Sequence, residues 1–328
     1  IPVAVWLLVG SASYATFVPV LLMFLFFGVA VFFPVLKLLW IGSFLNQNNM
    51  GVQKIDDILY MDEIEEPDIP RHPKDASVEF RNVSFAYDTT PILKAISFIS
   101  HPGTITALVG PSGAGKSTVA MLTARFWDVQ SGEILIGGVP VKEISTSVLM
   151  DNVAFVFQDN MLFFDTIEEN IRMGNKTAIF EEVARAACAA QCHEFIESLP
   201  NGYQTLVGEG GIYLSGGEAQ RIALARAILK DSPIILLDEA TAFADPENEG
   251  KILEAFSHLI KGKTVLVIAH RLSTITNADR ILYIDKGVIA EEGTHEELLV
   301  IQGQYAHMWK TYNRAKRWTI GGKSNRKS

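Results

Sequence analysis

Cysteine is scarce in this sequence, which has two among 328 residues, Cys188 and Cys192. A secreted scaffold held together by disulfides needs more than this, so the composition is compatible with a reducing compartment. The two cysteines lie four residues apart in "ACAAQC", a spacing that places them on one face of a helix. No His or Cys cluster completes a set of metal ligands. We therefore interpret the pair as helix-packing residues.

Positive charge is also in short supply. Lys and Arg number 28 against 37 Asp and Glu, giving a formal net charge of −9. A general nucleic-acid binder shows a basic footprint, so the charge balance argues against nucleic acid as a partner. The exception is the end of the chain, where 313–328 hold six basic residues and no acidic one. This basic tail is predicted to be disordered, with contact to anionic lipid as the less favoured alternative.

No charged residue precedes Lys37, and the opening contains "FVPVLLMFLFFGVAVFFPVLKLLWIG" at 17–42. An apolar run of about 20 residues is long enough to cross a bilayer as a helix, so we predict a span at about 17–41. The alternatives are a buried core helix and a signal peptide, but the basic start and cleavage site of a signal peptide are missing. The run 1–10 is too short to span and is interpreted as the end of a preceding span, with 11–16 as a turn. Residues 1–61 are therefore expected to be the last part of a membrane domain in a longer protein.

The remaining sequence divides into recognisable regions. Helical spacing of apolar residues continues the span to about Met61, and the acidic, proline-rich segment 62–77 is predicted to be a linker. Short apolar strands alternate with helices over 78–312, which predicts a largely parallel sheet with helices on both faces. The candidate strands are 78–87, 104–109, 132–137, 153–157, 233–237, 264–269 and 280–284.

A complete phosphate-binding loop, "GPSGAGKST", lies between the apolar "TITALV" and the helical "STVAMLTARF". Its glycines allow backbone N–H groups to surround phosphate oxygens, Lys116 reaches the β- and γ-phosphates, and the Ser117 hydroxyl coordinates Mg²⁺. A glycine-rich turn alone is weak evidence, whereas G-x-x-x-x-G-K-S in a strand–loop–helix setting is specific. The candidate nucleotide-binding residues of the loop are Gly110, Pro111, Ser112, Gly113, Ala114, Gly115, Lys116, Ser117 and Thr118.

Two carboxylates follow the apolar strand in "PIILLDEA". Asp238 and Glu239 come at the carboxyl end of that strand, where ligands of parallel sheets bind. Asp238 fits the carboxylate that holds Mg²⁺, and Glu239 fits a base that polarises the attacking water. For an isolated Asp-Glu pair the alternative is a helix cap. Together with the phosphate loop, the pair indicates a Mg-dependent nucleotide hydrolase of the P-loop class.

A second arrangement suited to phosphate, "LSGGEAQR", opens a helix about a hundred residues later. Ser215 and Glu218 form an S-x-x-E capping box, so the simpler interpretation is a well-capped helix. Gly216 and Gly217 each cost about 1 kcal/mol relative to alanine inside a helix. A cap does not need them, whereas close approach of the backbone to a ligand does.

The block "LSGGEAQRIALARAILKDSPIILLDEA" resembles the signature motif and Walker B strand of ATP-binding cassette (ABC) transporters, and the resemblance covers 78–312. It implies an α/β P-loop ATPase core with an antiparallel β subdomain and an α-helical subdomain, preceded by the last transmembrane helix of an all-α membrane domain. In that family the signature faces the phosphate loop of a second subunit, with ATP between them. The resemblance therefore implies that Ser215, Gly216, Gly217 and Glu218 bind the partner's γ-phosphate.

The family's other elements have counterparts here, and their roles are implied by the resemblance alone. Tyr87 in "FAYD" matches the aromatic residue that stacks on adenine, and Gln158 in "FVFQD" matches a glutamine that touches Mg²⁺ and the attacking water. His270 in "VIAHR" matches the histidine that contacts the γ-phosphate. Glu209 in "TLVGEGG" resembles an exporter-type loop near the membrane domain. The implied catalytic residues are Glu239, His270, Gln158 and Lys116, and the implied Mg²⁺ ligands are Ser117, Gln158 and Asp238.

One segment departs from the family pattern. Where the family commonly has A-T-S-A-L-D, this chain has "ATAFAD", which keeps Asp245 as a nucleotide-site residue but places Ala242 and Phe243 before it. The variant resembles exporter-fold bacterial transporters, some of which import siderophores. The expected function is ATP-driven efflux of a small molecule, with import of a metallophore or siderophore as the alternative.

The sequence argues against two other classes of protein. An ATPase acting on DNA can carry a similar signature, but it needs a long coiled-coil insertion that 119–213 is too short to hold. A P-loop kinase does not need the second phosphate site. We therefore expect an integral protein of the bacterial plasma membrane, with its ATPase domain in the cytoplasm. The expected partners are the bilayer, the transported molecule and a second ABC subunit, identical or different.

Overall fold

The computed structural model describes residues 14–60, 64–157, 161–238, 246–268 and 275–321. The chain divides into two compact units, Ile1–Glu63 and Ile64–Ser328. The second unit begins inside the segment predicted to be a linker.

The described part of the first unit is one helix, α1, over Tyr14–Leu59. Its 46 residues at about 1.5 Å rise each exceed the ~30 Å hydrocarbon core of a bilayer about twofold. By length and composition alone, Phe17–Asp57 is suited to crossing a membrane. The helix ends close to the predicted Met61. It already includes residues 14–16, for which a turn was predicted, because no glycine or proline is present there to interrupt it.

The second unit contains strands and helices in alternation. Its strands are β1 Val78–Tyr87, β2 Thr90–Ser100, β3 Ile105–Val109, β4 Ser131–Ile136, β5 Val139–Pro140, β6 Val153–Val156, β7 Asp165–Thr166, β8 Leu206–Val207, β9 Ile234–Asp238, β10 Thr264–Ile268, β11 Arg280–Asp285 and β12 Val288–Gly293. Its helices are α2 Lys116–Thr123, α3 Thr146–Asn152, α4 Ile167–Arg172, α5 Phe180–Ala189, α6 His193–Ser198, α7 Gly216–Lys230, α8 Pro246–Ile260, α9 His295–Ile301 and α10 Gln304–Gly321.

The central sheet has six strands in the order β12-β11-β3-β10-β9-β6. All neighbours are parallel except β11 and β12. Successive residues of the central strands pack into different cores: in β9, Ile235 and Leu237 face one core while Ile234 and Leu236 face the other. This alternation shows that both faces of the sheet are covered, which explains why these strands are almost entirely apolar.

A second, antiparallel sheet has the order β2-β1-β4-β5. Between β6 and β9 the chain forms α4 to α7 and the short pair β7–β8, which make up the helical part. The predicted fold class of this unit is therefore confirmed. The sequence prediction omitted β2 and β12, which pair with their immediate predecessors as antiparallel hairpins.

Residues 64–77, here called the connecting segment, belong to the second unit and contact the rest of it. The Glu65 carbonyl accepts a hydrogen bond from Arg125 Nη2 at 2.9 Å, and the Arg71 N–H donates to the Glu143 carbonyl at 2.8 Å. At Gly137 (φ +57°) an added Cβ would lie 2.5 Å from the Lys74 nitrogen, so the segment and the β4–β5 turn touch backbone to backbone. The segment predicted to be a linker therefore makes fixed contacts with the rest of the second unit.

Two further sequence predictions need correction. Helix α10 runs to Gly321, so the helix continues into the basic tail that was predicted to be disordered. Cys188 and Cys192 do not share a helix, since α5 ends at Ala189 and the backbone turns left-handed at Gln191 (φ +55°). Cys188 is exposed and Cys192 is buried.

Candidate active site

The phosphate loop joins β3 to α2 in the arrangement that the sequence predicts. Gly115 is the N-cap of α2 in the left-handed conformation (φ +104°, ψ +8°). At Gly110 (φ +142°) an added Cβ would lie 2.0 Å from the Ile284 carbonyl oxygen of β11. Only glycine fits at such a distance, so the loop starts pressed against the neighbouring strand. The loop therefore presents the amino end of α2, where backbone N–H groups and the helix dipole favour an anion.

Lys116 is the first residue of α2, and its side chain folds back over the loop. Its Nζ donates to the carbonyl oxygens of Gly110 at 3.0 Å and Pro111 at 2.8 Å. The residue is 5% exposed, so its ammonium group is held beside the backbone that surrounds the predicted phosphate position. Ser117 is half-buried in the first turn of the same helix. The loop thus brings a cation, a hydroxyl and a helix amino end together.

Asp238 is the last residue of β9 and is partly buried. Parallel pairing places it level with Ile268 at the end of β10, and β10 lies beside β3, which leads to the phosphate loop. The carboxyl ends of these strands share one edge of the sheet, where α/β proteins bind ligands. The topology therefore brings Asp238 to the same edge as the phosphate loop. The other predicted residues of this edge, Gln158, Glu239, Asp245 and His270, lie outside the described residues, as do Ala242 and Phe243.

A metal site is predicted from Ser117, Gln158 and Asp238. Among the described residues, no group of three or more His, Cys, Asp or Glu is placed to hold a metal ion. The two predicted ligands that the structure describes are a hydroxyl and a carboxylate, the hard oxygen donors that Mg²⁺ prefers.

Tyr87 lies at the end of β1, half-buried, with its side chain against α2. Its hydroxyl donates to Met121 Sδ at 3.8 Å. Phe85 and Trp127 pack edge to face with its ring, at centroid distances of 4.9 and 5.1 Å. The aromatic residue predicted to hold the base is thus attached to the helix that carries the phosphate loop.

The predicted capping box at the second phosphate motif is present. Ser215 is the N-cap of α7: its Oγ accepts the Glu218 N–H at 3.3 Å, and Glu218 Oε2 accepts the Ser215 N–H at 2.8 Å. Ser215 and Gly216 are exposed and Gly217 is buried. The helix therefore presents its amino end and an exposed serine at the surface of the unit.

Glu209 lies at an exposed turn between β8 and α7, next to Gly208, whose carbonyl accepts the Gly211 N–H at 3.0 Å. The structure thus places Glu209 in a surface turn. The sequence reasoning missed Met121, Trp127 and Gln130, which surround the end of β1. Aromatic residues directly after the helix of a phosphate loop, in "RFWD", are the signal that could have identified Trp127.

The sequence of this chain is also similar to those of known proteins. Residues 93–242 match the protein-family model described as "ABC transporter". The chain is 44% identical over 301 residues to the ATP-dependent lipid A-core flippase of Syntrophus aciditrophicus, covering 90% of this chain and 49% of that protein. It is 49% identical over 247 residues to a mycobactin import ATP-binding/permease protein of Mycobacterium tuberculosis, covering 74% of this chain and 29% of that protein.

A solved structure shows the same fold. A bacterial Atm1-family ABC exporter with ATP bound aligns with a TM-score of 0.74 and 42% identity, over 81% of this chain and 47% of that one. The chain spans about half the length of the flippase and of this exporter. The match to the flippase is longer than 64–328, so it includes part of the first unit.

Proposed function

This chain belongs to the ABC transporter family, and we propose that it is the ATPase part of a subunit that moves a small molecule across a membrane. The observation that carries the proposal is the phosphate loop, in which Lys116 is held on the loop's own carbonyls at the amino end of α2. Relatives whose names include flippase and import permease support the transport class. The transported molecule itself is left unchanged, and ATP hydrolysis drives its movement.

In this proposal each residue at the carboxyl ends of the parallel strands has its own role. Lys116 leaves the carbonyls of its own loop to bind the β- and γ-phosphates, whose charge it offsets. Ser117, Asp238 and Gln158 would hold Mg²⁺, which when bound neutralises charge on the same phosphates. Glu239 takes a proton from the attacking water, and His270 contacts the γ-phosphate as the charge develops. Asp245 completes the site, and Tyr87 stacks on the adenine.

We further propose that the signature serine belongs to a neighbour's site. Ser215 is exposed at the amino end of a 15-residue helix, which is an anion-binding position. A second copy or a related subunit would bring its own ATP to this helix end. ATP then joins two subunits, and hydrolysis removes the γ-phosphate contacts and lets them separate. This cycle drives alternate opening of the membrane domain.

Efflux is the direction we propose, with import of a metallophore as the second candidate. Direction is set by the membrane domain, and the flippase match covers 90% of the chain, against 74% for the mycobactin import protein. We also propose that the protein is inserted in the bacterial plasma membrane through α1, with the ATPase unit in the cytoplasm. Transport assays with the full subunit in proteoliposomes, with ATP added outside, would test direction: accumulation inside indicates export.

The first test uses residues 64–328 carrying Glu239→Gln, which should slow hydrolysis and leave ATP binding intact. Sedimentation with Mg-ATP should show a dimer, and without nucleotide a monomer. Ser215→Arg should abolish the dimer without weakening ATP binding to the monomer, because it alters only the surface offered to the neighbour. Lys116→Ala should abolish ATP binding itself.

The outcomes separate the parts of the proposal. Failure of the unsubstituted chain to bind ATP would overturn the ATPase assignment. Tight ATP binding with a protein that stays monomeric at high concentration would contradict the identical-partner form. Mixing with nucleotide-binding domains of other subunits would then decide whether a different partner completes the site.

A further inference from the structure

The loop that follows α2 packs against the end of β1, where the proposed base-binding residue lies. This loop comprises residues 125–130 and is here called the aromatic loop. An ion pair joins two residues of this loop: Arg125 Nε and Nη2 donate to the two carboxylate oxygens of Asp128 at 3.0 and 3.3 Å. The Arg125 side chain is 3% exposed. Phe126 and Trp127 lie between Arg125 and Asp128 in the chain, so this ion pair restrains the backbone from which both aromatic side chains extend.

Two side chains of the aromatic loop hold Tyr87 and the residue before it. Trp127 meets the Tyr87 ring edge to face, at 5.1 Å between centroids and 86° between planes. The Gln130 amide pairs with the backbone of Ala86: Oε1 accepts the Ala86 N–H at 2.9 Å, and Nε2 donates to the Ala86 carbonyl at 2.9 Å. β4 begins at the next residue and pairs with β1 as far as Ser84, so the Gln130 amide extends that pairing to Ala86.

These contacts connect the phosphate end and the base end of the proposed nucleotide site. The aromatic loop continues directly from α2, which begins at Lys116, and the Tyr87 hydroxyl bonds to Met121 in the same helix. None of the described aromatic rings lies parallel on Tyr87 in the manner of a stacked base. Trp127 is 42% exposed and does not belong to either buried core. It meets Tyr87 at the edge of the core cluster that contains Phe85, whose ring lies 6.4 Å from that of Trp127.

We propose that Trp127 and Gln130 are positioning residues for the nucleotide base and act through Tyr87. Trp127 fixes the plane of the Tyr87 ring, and Gln130 fixes the backbone from which that ring extends. Because the ring is already held in place, less conformational entropy is lost when the base binds. The inference rests on the proposed stacking of a base on Tyr87, and it concerns affinity for the base without changing the phosphate chemistry.

The test compares ATP with inorganic tripolyphosphate, which has the phosphates but no base, using the full chain in detergent. Trp127→Ala should raise the Kd for ATP about three- to tenfold, the range expected for loss of one aromatic pair. The Kd for tripolyphosphate should stay the same. The KM for ATP should rise while kcat at saturating ATP is retained, and Trp127→Phe should restore most of the affinity. Gln130→Ala should give the same base-dependent loss.

The matched control is Phe180→Ala. Phe180 is 44% exposed and meets Tyr203 edge to face at 5.2 Å and 83°, so it reproduces the geometry of the Trp127 contact in the helical part. It should change neither Kd. A Trp127→Ala variant that loses tripolyphosphate affinity as strongly as ATP affinity would overturn the inference in favour of general damage to α2.

Tyr87→Ala separates this inference from the proposed function. If Tyr87→Ala weakens ATP binding but Trp127→Ala and Gln130→Ala do not, the positioning role is wrong and the base site stands. If the unsubstituted chain binds ATP no more tightly than tripolyphosphate, Tyr87 holds no base, and both proposals at this end of the site fail.

Discussion

The carboxylate of Glu66 accepts a hydrogen bond from the backbone N–H of Thr146, with its two oxygens 3.2 and 3.1 Å from the nitrogen. Thr146 opens α3, and the N-cap Ser145 accepts the Val148 N–H. Two different side chains therefore satisfy the first N–H groups of this helix, and one of them comes from the connecting segment. The contact fixes the start of the nucleotide-binding unit close to α3.

We expect a pH-dependent contribution from Glu66. Hydrogen bonding with Thr146 lowers the pKa of the Glu66 carboxyl below its usual value. The contribution to stability is therefore complete above the unfolded pKa, about 4.3, and is lost as pH falls through the lower folded pKa. Glu66→Gln, which resembles the protonated form, should lower the urea midpoint of residues 64–328 at pH 7. The difference should shrink below about pH 4.3, and the neighbouring Glu65→Gln is the control. A difference that does not change with pH would contradict the role of charge.

Arg125 should be the strongest attachment of the connecting segment. Its buried guanidinium bonds to Asp128 and to the Glu65 carbonyl, and hydrogen bonds to a charged group contribute about 1.5–3 kcal/mol each. Arg125→Ala should lower the free energy of unfolding by about 2 kcal/mol or more and open 64–77 to protease. Arg71, whose ion pair with Glu143 is half-exposed on both sides, should contribute at most about 1 kcal/mol. Equal effects of Arg71→Ala and Arg125→Ala in urea titration and limited proteolysis would contradict this ranking.

The sequence predicted the central strands and the helix cap, because each depends on residues that are close together in the chain. Apolar runs located β9 and β10 to within a residue, because a strand covered on both faces needs consecutive apolar residues. The S-x-x-E pattern predicted the cap of α7, which depends only on contacts three residues apart. β12 was missed because Glu291 and Glu292 lie one on each face of it and none of its residues is fully buried, so it lacks the apolar run of a central strand.

Contacts between distant parts of the chain left no such pattern. The connecting segment is acidic and rich in proline, which predicts a linker, yet Glu66 binds a helix 80 residues away. The place of Trp127 beside Tyr87 depends on how the antiparallel sheet packs on α2, and it required the structure. The two cysteines were assigned to one helix because their spacing matches a helical turn, whereas a left-handed residue between them ends α5.

Two capping boxes of the same type separate a structural role from a functional one. Thr294 and Glu297 repeat at α9 the bonds that Ser215 and Glu218 make at α7. Ser215→Ala and Thr294→Ala should each lower the free energy of unfolding by about 1 kcal/mol. Only Ser215→Ala should also weaken the ATP-dependent dimer, because only its hydroxyl is proposed to face a neighbour's phosphate. Urea titration and sedimentation of both variants in the Glu239→Gln background measure the two effects. Equal loss of dimer in both variants would show that Ser215 acts only as the N-cap of its helix.

The two cysteines should differ in reactivity towards alkylating reagents. Burial raises the pKa of the Cys192 thiol to about 12, and its Sγ bonds to the Ala187 carbonyl at 3.3 Å. Only the thiolate is nucleophilic, so at pH 8 the buried thiol should stay unmodified while the exposed Cys188 reacts. Iodoacetamide should therefore add one group to the native chain and two in urea, counted by mass spectrometry. Cys188→Ser should leave the native chain unlabelled. A native Cys188→Ser chain that reacts quickly would mean that the α5–α6 turn opens readily and exposes Cys192.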